Sequence, residues 1–332
     1  MSKVKFTNVW EIVTNSDYFL YIFIGGRGIG KTYSSLKGSR LDHKRIMYVR
    51  RTATEIDNCV DEFTNPYKAL NQDMGWNIYI EKRKDNSIIL EENGEDTEVI
   101  GYACPLSTFG KFRGADFSDV DVIIFDEFIN TNSVNTLKDE AKMFFNLIET
   151  VNRNRELREE ESIKIILLSN ANTLDNDILR SLMLGDVFYS MKVLDQEVYT
   201  DDERGLYLSL LKNDDVKDMK SKTKLYKLTQ GTAFFDMAIN NEFTTDYFGD
   251  VNKVKYTEMV PLCMYDKLCF YKHKSKDLIF VSYRKANCTR YDTNTLKAFK
   301  REYGYMIQYY IDTGQILYSD YNVKLEVKGI YK

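Results

Sequence analysis

The sequence predicts an α/β fold: a parallel sheet with helices on both faces, followed by a smaller mixed α/β domain. Three observations carry this reading. The apolar run at residues 18–24 leads straight into Gly25-Gly26-Arg27-Gly28-Ile29-Gly30-Lys31-Thr32. A second apolar run, 120–125, ends in Asp126-Glu127, and a third, 163–168, ends in Ser169-Asn170. Continuous apolar runs of this length form strands buried on both faces, the pattern of parallel sheets, whose ligands gather at the carboxyl ends of the strands.

The octapeptide fits the P-loop pattern G-x-x-x-x-G-K-[ST] at every position. Its glycines let successive backbone N–H groups turn inward around an anion, and the helix that follows, expected over 33–40, points its positive end at the same place. Lys31 is expected to reach the β- and γ-phosphates of a nucleotide and Thr32 to ligate Mg²⁺. The acids after the second run form a Walker B arrangement. Asp126 is expected to support the Mg²⁺ shell, and Glu127 to orient and deprotonate an attacking water. A second acid at this point speaks for hydrolysis rather than transfer to a substrate hydroxyl, and so against a small-molecule kinase. The expected ligands are ATP and Mg²⁺.

A chain of 332 residues, 43% hydrophobic and 29% charged, can hold two domains and a large core. No run approaches the roughly 18 apolar residues of a membrane span, and residues 1–5 lack the apolar core of a signal peptide. The expected location is therefore the cytoplasm. Five cysteines without a Cys-x-x-Cys pair read as reduced thiols, and two histidines leave no His-rich zinc site. A net charge of −4 excludes a general nucleic-acid-coating surface. Any DNA contact must use a few placed cations, which suits a protein that grips and releases.

Further along, 45–50 reads as a strand and 59–70 as a helix, with a turn near Gly75. Residues 76–80, 87–90 and 98–102 read as an antiparallel insertion with a hairpin at Asn93-Gly94. Over 136–152, Leu137, Ala141, Phe144, Ile148 and Val151 recur with helical period. After the third strand, Asn170 or Ser169 is placed to sense a γ-phosphate, and the same residues fit an ordinary strand-to-loop turn equally well. The charged stretch from Asp201 reads as a linker over 201–232. Beyond it come short strands at 262–265, 268–271 and 278–281 and a helix over 296–309.

Two groups of cations stand out. If the helix through 152 continues, Arg155 falls on its apolar face and Arg153 nearly opposite, where a neighbouring subunit would offer an arginine finger; helix-terminal cations favoured by the dipole account for the same cluster. Lys111 and Arg113, around Phe112 and between Gly110 and Gly114, form a loop able to touch a DNA backbone, or an ordinary surface loop.

The motifs GGRGIGKT, YVRR at 48–51, IIFDEF at 123–128, RNRE at 153–156 and LSNA at 168–171 occur in one order and spacing. Together they resemble the DNA-packaging motor ATPases of small tailed phages, the phi-29-like group related to large terminases; Gly231-Thr232 through Met237 extends the likeness past the linker. The resemblance implies an ASCE-type P-loop ATPase domain over 1–200, the connecting segment over 201–232, and an RNase H-like domain over 233–332, a vestigial nuclease. It implies a homo-oligomeric ring, usually a pentamer, at the portal of a prohead in the host cytoplasm, driving double-stranded DNA inward at the expense of ATP. Some members of the group also use a packaging RNA. Arg153 matches the group's trans-acting arginine finger. Arg27 also matches, and is expected to contact the γ-phosphate or to pair with Glu127. The acids Asp246, Asp266, Asp277, Asp292 and Asp312 are scattered and compose no metal-binding set. The alternatives are a terminase large subunit with an active nuclease and an ATP-gated assembly protein without DNA-stimulated turnover.

Overall fold

The computed structural model describes residues 5–83, 87–112, 115–129, 137–170, 174–232, 235 and 249–331. The chain divides into two compact units, one of 1–178 and 195–245, the other of 179–194 and 246–332.

The first unit opens with α1 (Val9–Thr14), β1 (Leu20–Gly25), α2 (Lys31–Leu41), β2 (Ile46–Arg50), α3 (Ala53–Val60) and α4 (Lys68–Met74). There follow β3 (Ile78–Lys82), β4 (Ser87–Asn93), β5 (Asp96–Pro105), β6 (Val122–Asp126), α5 (Glu140–Asn152) and β7 (Lys164–Ser169). The sheet runs β3-β4-β5-β2-β6-β7-β1-β9-β8, where β8 (Val198–Asp201) and β9 (Leu206–Leu211) arrive from beyond residue 194. From β5 to β9 every neighbour is parallel, and hairpins close both edges. All six residues of β1 are buried, as are all five of β6, because parallel strands in mid-sheet meet apolar neighbours on both faces. Strand β7 lies between β1 and β6, so Asn170 emerges between the glycine loop and the acidic pair.

The antiparallel insertion stands as expected, with Gly94 at φ 71° in its turn. The single helix expected over 59–70 is instead two. A capping box at Thr52 and Glu55 starts α3 early, and the chain leaves it at Asp61, which adopts an extended conformation. In the long amphipathic helix α5 the buried face is Ala141, Phe144, Leu147 and Val151, with Ile148 only part-buried.

The connecting segment expected over 201–232 is corrected in its first part. Asp201-Asp202-Glu203-Arg204 is the tip of the β8–β9 hairpin, with Gly205 at φ 59°. Leu206–Leu211 then runs beside β1 as an edge-adjacent strand, so the charges mark a turn rather than a domain boundary. Helices α8 (Asp214–Ser221) and α9 (Lys224–Leu228) follow it within the same unit.

The chain passes between units within α6 (Asp177–Ser181). The second unit includes α7 (Gly185–Val193), whose first amide donates to Asn322 Oδ1 at 2.8 Å. Its sheet has β10 (Met259–Tyr265), β11 (Leu268–His273) and β12 (Ile279–Ser282) as an antiparallel meander, flanked by β13 (Thr289–Tyr291) and β14 (Ile316–Tyr318), each parallel to its neighbour. The helix expected over 296–309 runs as α10 (Leu296–Phe299), a π-helical turn (Lys300–Gly304) and α11 (Tyr305–Asp312), and α12 (Tyr321–Ile330) closes the unit. Phe270, Val281, Phe299, Ile307 and Val323 form its core.

Candidate functional site

The loop after β1 is shaped by its glycines. Gly28 and Gly30 have φ of 64° and 104°, a region open to glycine and costly to most other residues. A Cβ on Gly30 would also stand 3.0 Å from the Thr7 carbonyl. Lys31 is the first residue of α2, and its side chain turns back into the loop, donating to the carbonyls of Gly25 (2.9 Å) and Gly26 (2.8 Å) and to Asn170 Oδ1 (3.3 Å). Burial lowers its pKa to about 8, against the opposing pull of Asp126. A desolvated cation set within a glycine loop at the start of a helix is a site for an anion.

Asp126 ends β6, 8% exposed, and its Oδ2 accepts from Thr32 Oγ1 (3.0 Å) and Tyr48 Oη (3.1 Å). Burial raises its pKa and the Arg50 guanidinium opposes this. The hydroxyl and carboxylate are hard oxygen donors side by side, and they suit Mg²⁺. Glu127 follows at φ 55°, a strained conformation for a non-glycine residue that turns its side chain out toward solvent.

The sequence reading missed the partner of Glu127. Arg50, at the end of β2, places Nη2 2.7 Å from Glu127 Oε2 and Nη1 3.8 Å from Asp126. The expected pairing of Glu127 with Arg27 is therefore corrected: β2 lies directly beside β6, so the strand-end arginine meets the strand-end acids. Arg27 is exposed, and its carbonyl accepts from Lys220 Nζ of α8. Arg50 belongs to YVRR, so adjacency of β2 to β6 was the missing information. The next residue, Arg51, is buried and bonds Glu140 Oε1 at 2.7 Å and the Phe128 carbonyl, tying the chain beyond Glu127 to α5.

Lys31, Thr32, Asp126, Glu127, Ser169 and Asn170 line one cavity of about 710 Å³, together with Arg27, Gly28 and Gly30. Ser169 Oγ is buried there without a hydrogen-bond partner among the described residues, an orphaned polar atom facing a space large enough for a ligand.

The remaining candidates lie elsewhere. Helix α5 stops at Asn152, and Arg153 (φ 31°) and Asn154 (φ 57°) break it, so the facing deduced from a continued helix does not hold. Arg153 is part-exposed, donating to the Ala115 carbonyl at 2.6 Å. Arg155 is buried on the Ser118 and Val120 carbonyls, a structural role. Lys111 is exposed on a 3-10 turn (Leu106–Phe112), whereas Arg113 lies outside the described residues.

In the second unit, three of the scattered acids make local hydrogen bonds. Asp292 caps a turn, Asp277 accepts from Tyr310 Oη and Asp312 from Gln308 Nε2. Asp266 occupies a turn at φ 52°, and Asp246 lies outside the described residues. No cluster of three or more metal-ligating side chains occurs among the described residues, nor any helix long and apolar enough to cross a membrane.

The family model of the podovirus DNA encapsidation protein (Gp16) matches residues 1–300. The DNA packaging protein of Bacillus phage phi29 is 27% identical over 255 residues, covering 74% of this chain and 68% of that protein. That of Bacillus phage B103 is 28% identical over 235 residues, covering 69% and 66%. Among solved structures, the bacteriophage phi-29 viral genome packaging motor assembly superposes with a TM-score of 0.64 at 19% identity, with 98% of each chain covered. The phi-28 DNA packaging motor gives 0.63 at 18% identity, covering 96% of each.

Proposed function

Because this chain belongs to the podovirus DNA encapsidation protein (Gp16) family, we propose that it is the ATPase of a packaging motor, hydrolysing ATP to drive double-stranded DNA into a prohead. In this reading it works as a homo-oligomeric ring, a pentamer, at the portal in the host cytoplasm. The observation that carries the ATPase reading is the meeting of Lys31, Thr32, Asp126, Glu127 and Ser169 around one cavity. The loop amides and Lys31 receive the phosphate tail. Thr32 and Asp126 would hold Mg²⁺, which when bound neutralises charge on the phosphate oxygens. Glu127 takes the proton of the attacking water, and Asn170 and Ser169 orient the terminal phosphate.

Glu127 can take a proton from water through Oε2 only when that oxygen is freed from Arg50, whose guanidinium Nη2 occupies it at 2.7 Å. This supports a motor whose base waits for a signal, with DNA engagement as the trigger. Lys111 and Arg113 are the proposed DNA contacts. Local hydrogen bonds to Asp277, Asp292 and Asp312 support a vestigial rather than an active nuclease.

ATP turnover with and without duplex DNA tests the reading. Stimulation by DNA is expected, and turnover indifferent to DNA would favour the gated assembly protein. Arg153 is proposed to complete a neighbour's site. Arg153→Ala and Glu127→Gln are then each inactive alone, and mixing them restores part of the activity, because some interfaces regain both groups; a mixture as dead as its components contradicts the trans role.

Lys31 gives a pH signature. Its pKa of about 8 must rise when it meets a polyanion, so above pH 8 binding requires proton uptake. ATP affinity is expected to fall up to about tenfold per pH unit above 8 and to be flat below. A titration from pH 7 to 9.5 that shows no loss contradicts the assignment.

A further inference from the structure

Besides the loop and the acidic pair, the same cavity is lined by Phe6, Tyr33, Ala69 and Asp73. Phe6 is 58% exposed, and the segment that carries it is not loosely held. Its Cβ lies 3.2 Å from where a Cβ on Gly30 would stand. The next residue, Thr7, donates its amide to the Ile29 carbonyl at 2.9 Å. Asn213, the N-cap of α8, grips the same segment from the other side, donating to the Lys5 carbonyl (3.0 Å) and to Thr7 Oγ1 (3.1 Å). Three hydrogen bonds thus hold an exposed aromatic ring against the phosphate loop.

In the same lining, Tyr33 in the first turn of α2 donates its hydroxyl to Asp73 Oδ2 at 2.9 Å. Burial and the Asp73 carboxylate both raise the Tyr33 pKa, so the phenol keeps the proton it donates. The carboxylate is thereby oriented with its other oxygen available as an acceptor.

Resting on the ATPase reading of the same cavity, we propose that Phe6 is the stacking platform for the nucleotide base and that Asp73, oriented by Tyr33, accepts a hydrogen bond from the exocyclic amine of adenine. A flat apolar ring beside a phosphate loop matches the π-face of a base and nothing on a bare polyphosphate. An anionic acceptor aimed at the 6-position favours adenine, which offers an amine there, over guanine, which offers a carbonyl there and carries its donors, N1–H and the 2-amine, further along the edge. Phe6 and Asp73 are then specificity determinants, and the N-cap of α8 positions Phe6.

The test compares binding of ATP, GTP and inorganic tripolyphosphate to the full-length protein, with Phe6→Ala, Phe6→Trp and Asp73→Asn. Phe6→Ala is expected to weaken ATP about tenfold to a hundredfold, while tripolyphosphate binds as in the unaltered protein. Phe6→Trp keeps ATP affinity, and its indole fluorescence is quenched by ATP but not by tripolyphosphate. Asp73→Asn narrows the preference for ATP over GTP. Equal weakening of ATP and tripolyphosphate in Phe6→Ala, or no weakening of either, overturns the base platform and leaves the ATPase reading standing. An unaltered protein that binds neither overturns both.

Discussion

Glu127→Gln is expected to bind ATP as tightly as the unaltered chain and to hydrolyse it about 10²- to 10⁴-fold more slowly, the usual loss when a positioned general base is removed. Binding is expected to be spared because the proposed phosphate and Mg²⁺ groups, Lys31 with the loop amides and Thr32 with Asp126, hold their side-chain positions through bonds that do not involve the Glu127 side chain. Glutamine keeps an oxygen within reach of Arg50, so the strand-end geometry survives. What it lacks is basicity. Steady-state phosphate release and nucleotide affinity measured on one preparation separate the two quantities. Rapid turnover by the variant removes Glu127 from the role, and a parallel loss of ATP binding makes it structural.

Glu140→Ala is expected to cost the first unit about 3–5 kcal/mol, because it strands the buried Arg51 guanidinium. Burial raises the Glu140 pKa and Arg51 opposes that rise, so each partner is tolerable only because of the other. Both tryptophans, Trp10 and Trp76, lie in the first unit, so intrinsic fluorescence during urea unfolding reports on that unit. Glu140→Gln, which keeps an acceptor for Arg51, is expected to lose less. A loss below about 1 kcal/mol in Glu140→Ala would mean that the pair contributes no more than an exposed one.

These two residues mark where sequence reading stops. Glu127 was legible because it follows an apolar strand, and strand, loop and acids are each local patterns. The same holds for Lys31, Thr32, Asp126 and the polar pair at the end of β7. Arg50, Arg51 and Glu140 were not legible as a system. Arg50 meets Glu127 across 77 residues and Arg51 meets Glu140 across 89. The strand order, with β2 beside β6, brings the first pair together, and the placement of the start of α5 beside the end of β2 the second. Periodicity also misjudged the ends of elements. Nothing in Val151-Asn152-Arg153-Asn154-Arg155 announces that the helix breaks at Arg153 into two left-handed residues. The charged Asp201–Arg204 turn looked like a linker because a hairpin tip and a linker share a composition, and pairing with β1 is a long-range fact.

Lys220 teaches the same lesson from the other direction. It lies in a segment with weak apolar pattern, yet its ammonium reaches the Arg27 carbonyl of the phosphate loop, and burial lowers its pKa. Helix α8 therefore touches the site at both ends, through Asn213 on the N-terminal segment and Lys220 on the loop.

The measurement closest to the central proposal is protection of DNA from added nuclease in a mixture of proheads, duplex DNA and this protein. With ATP, DNA is expected to become protected, with phosphate released in step, and Glu127→Gln is expected to abolish both. Protection that proceeds undiminished with Glu127→Gln, or ATP consumption with no protected DNA, would contradict the account.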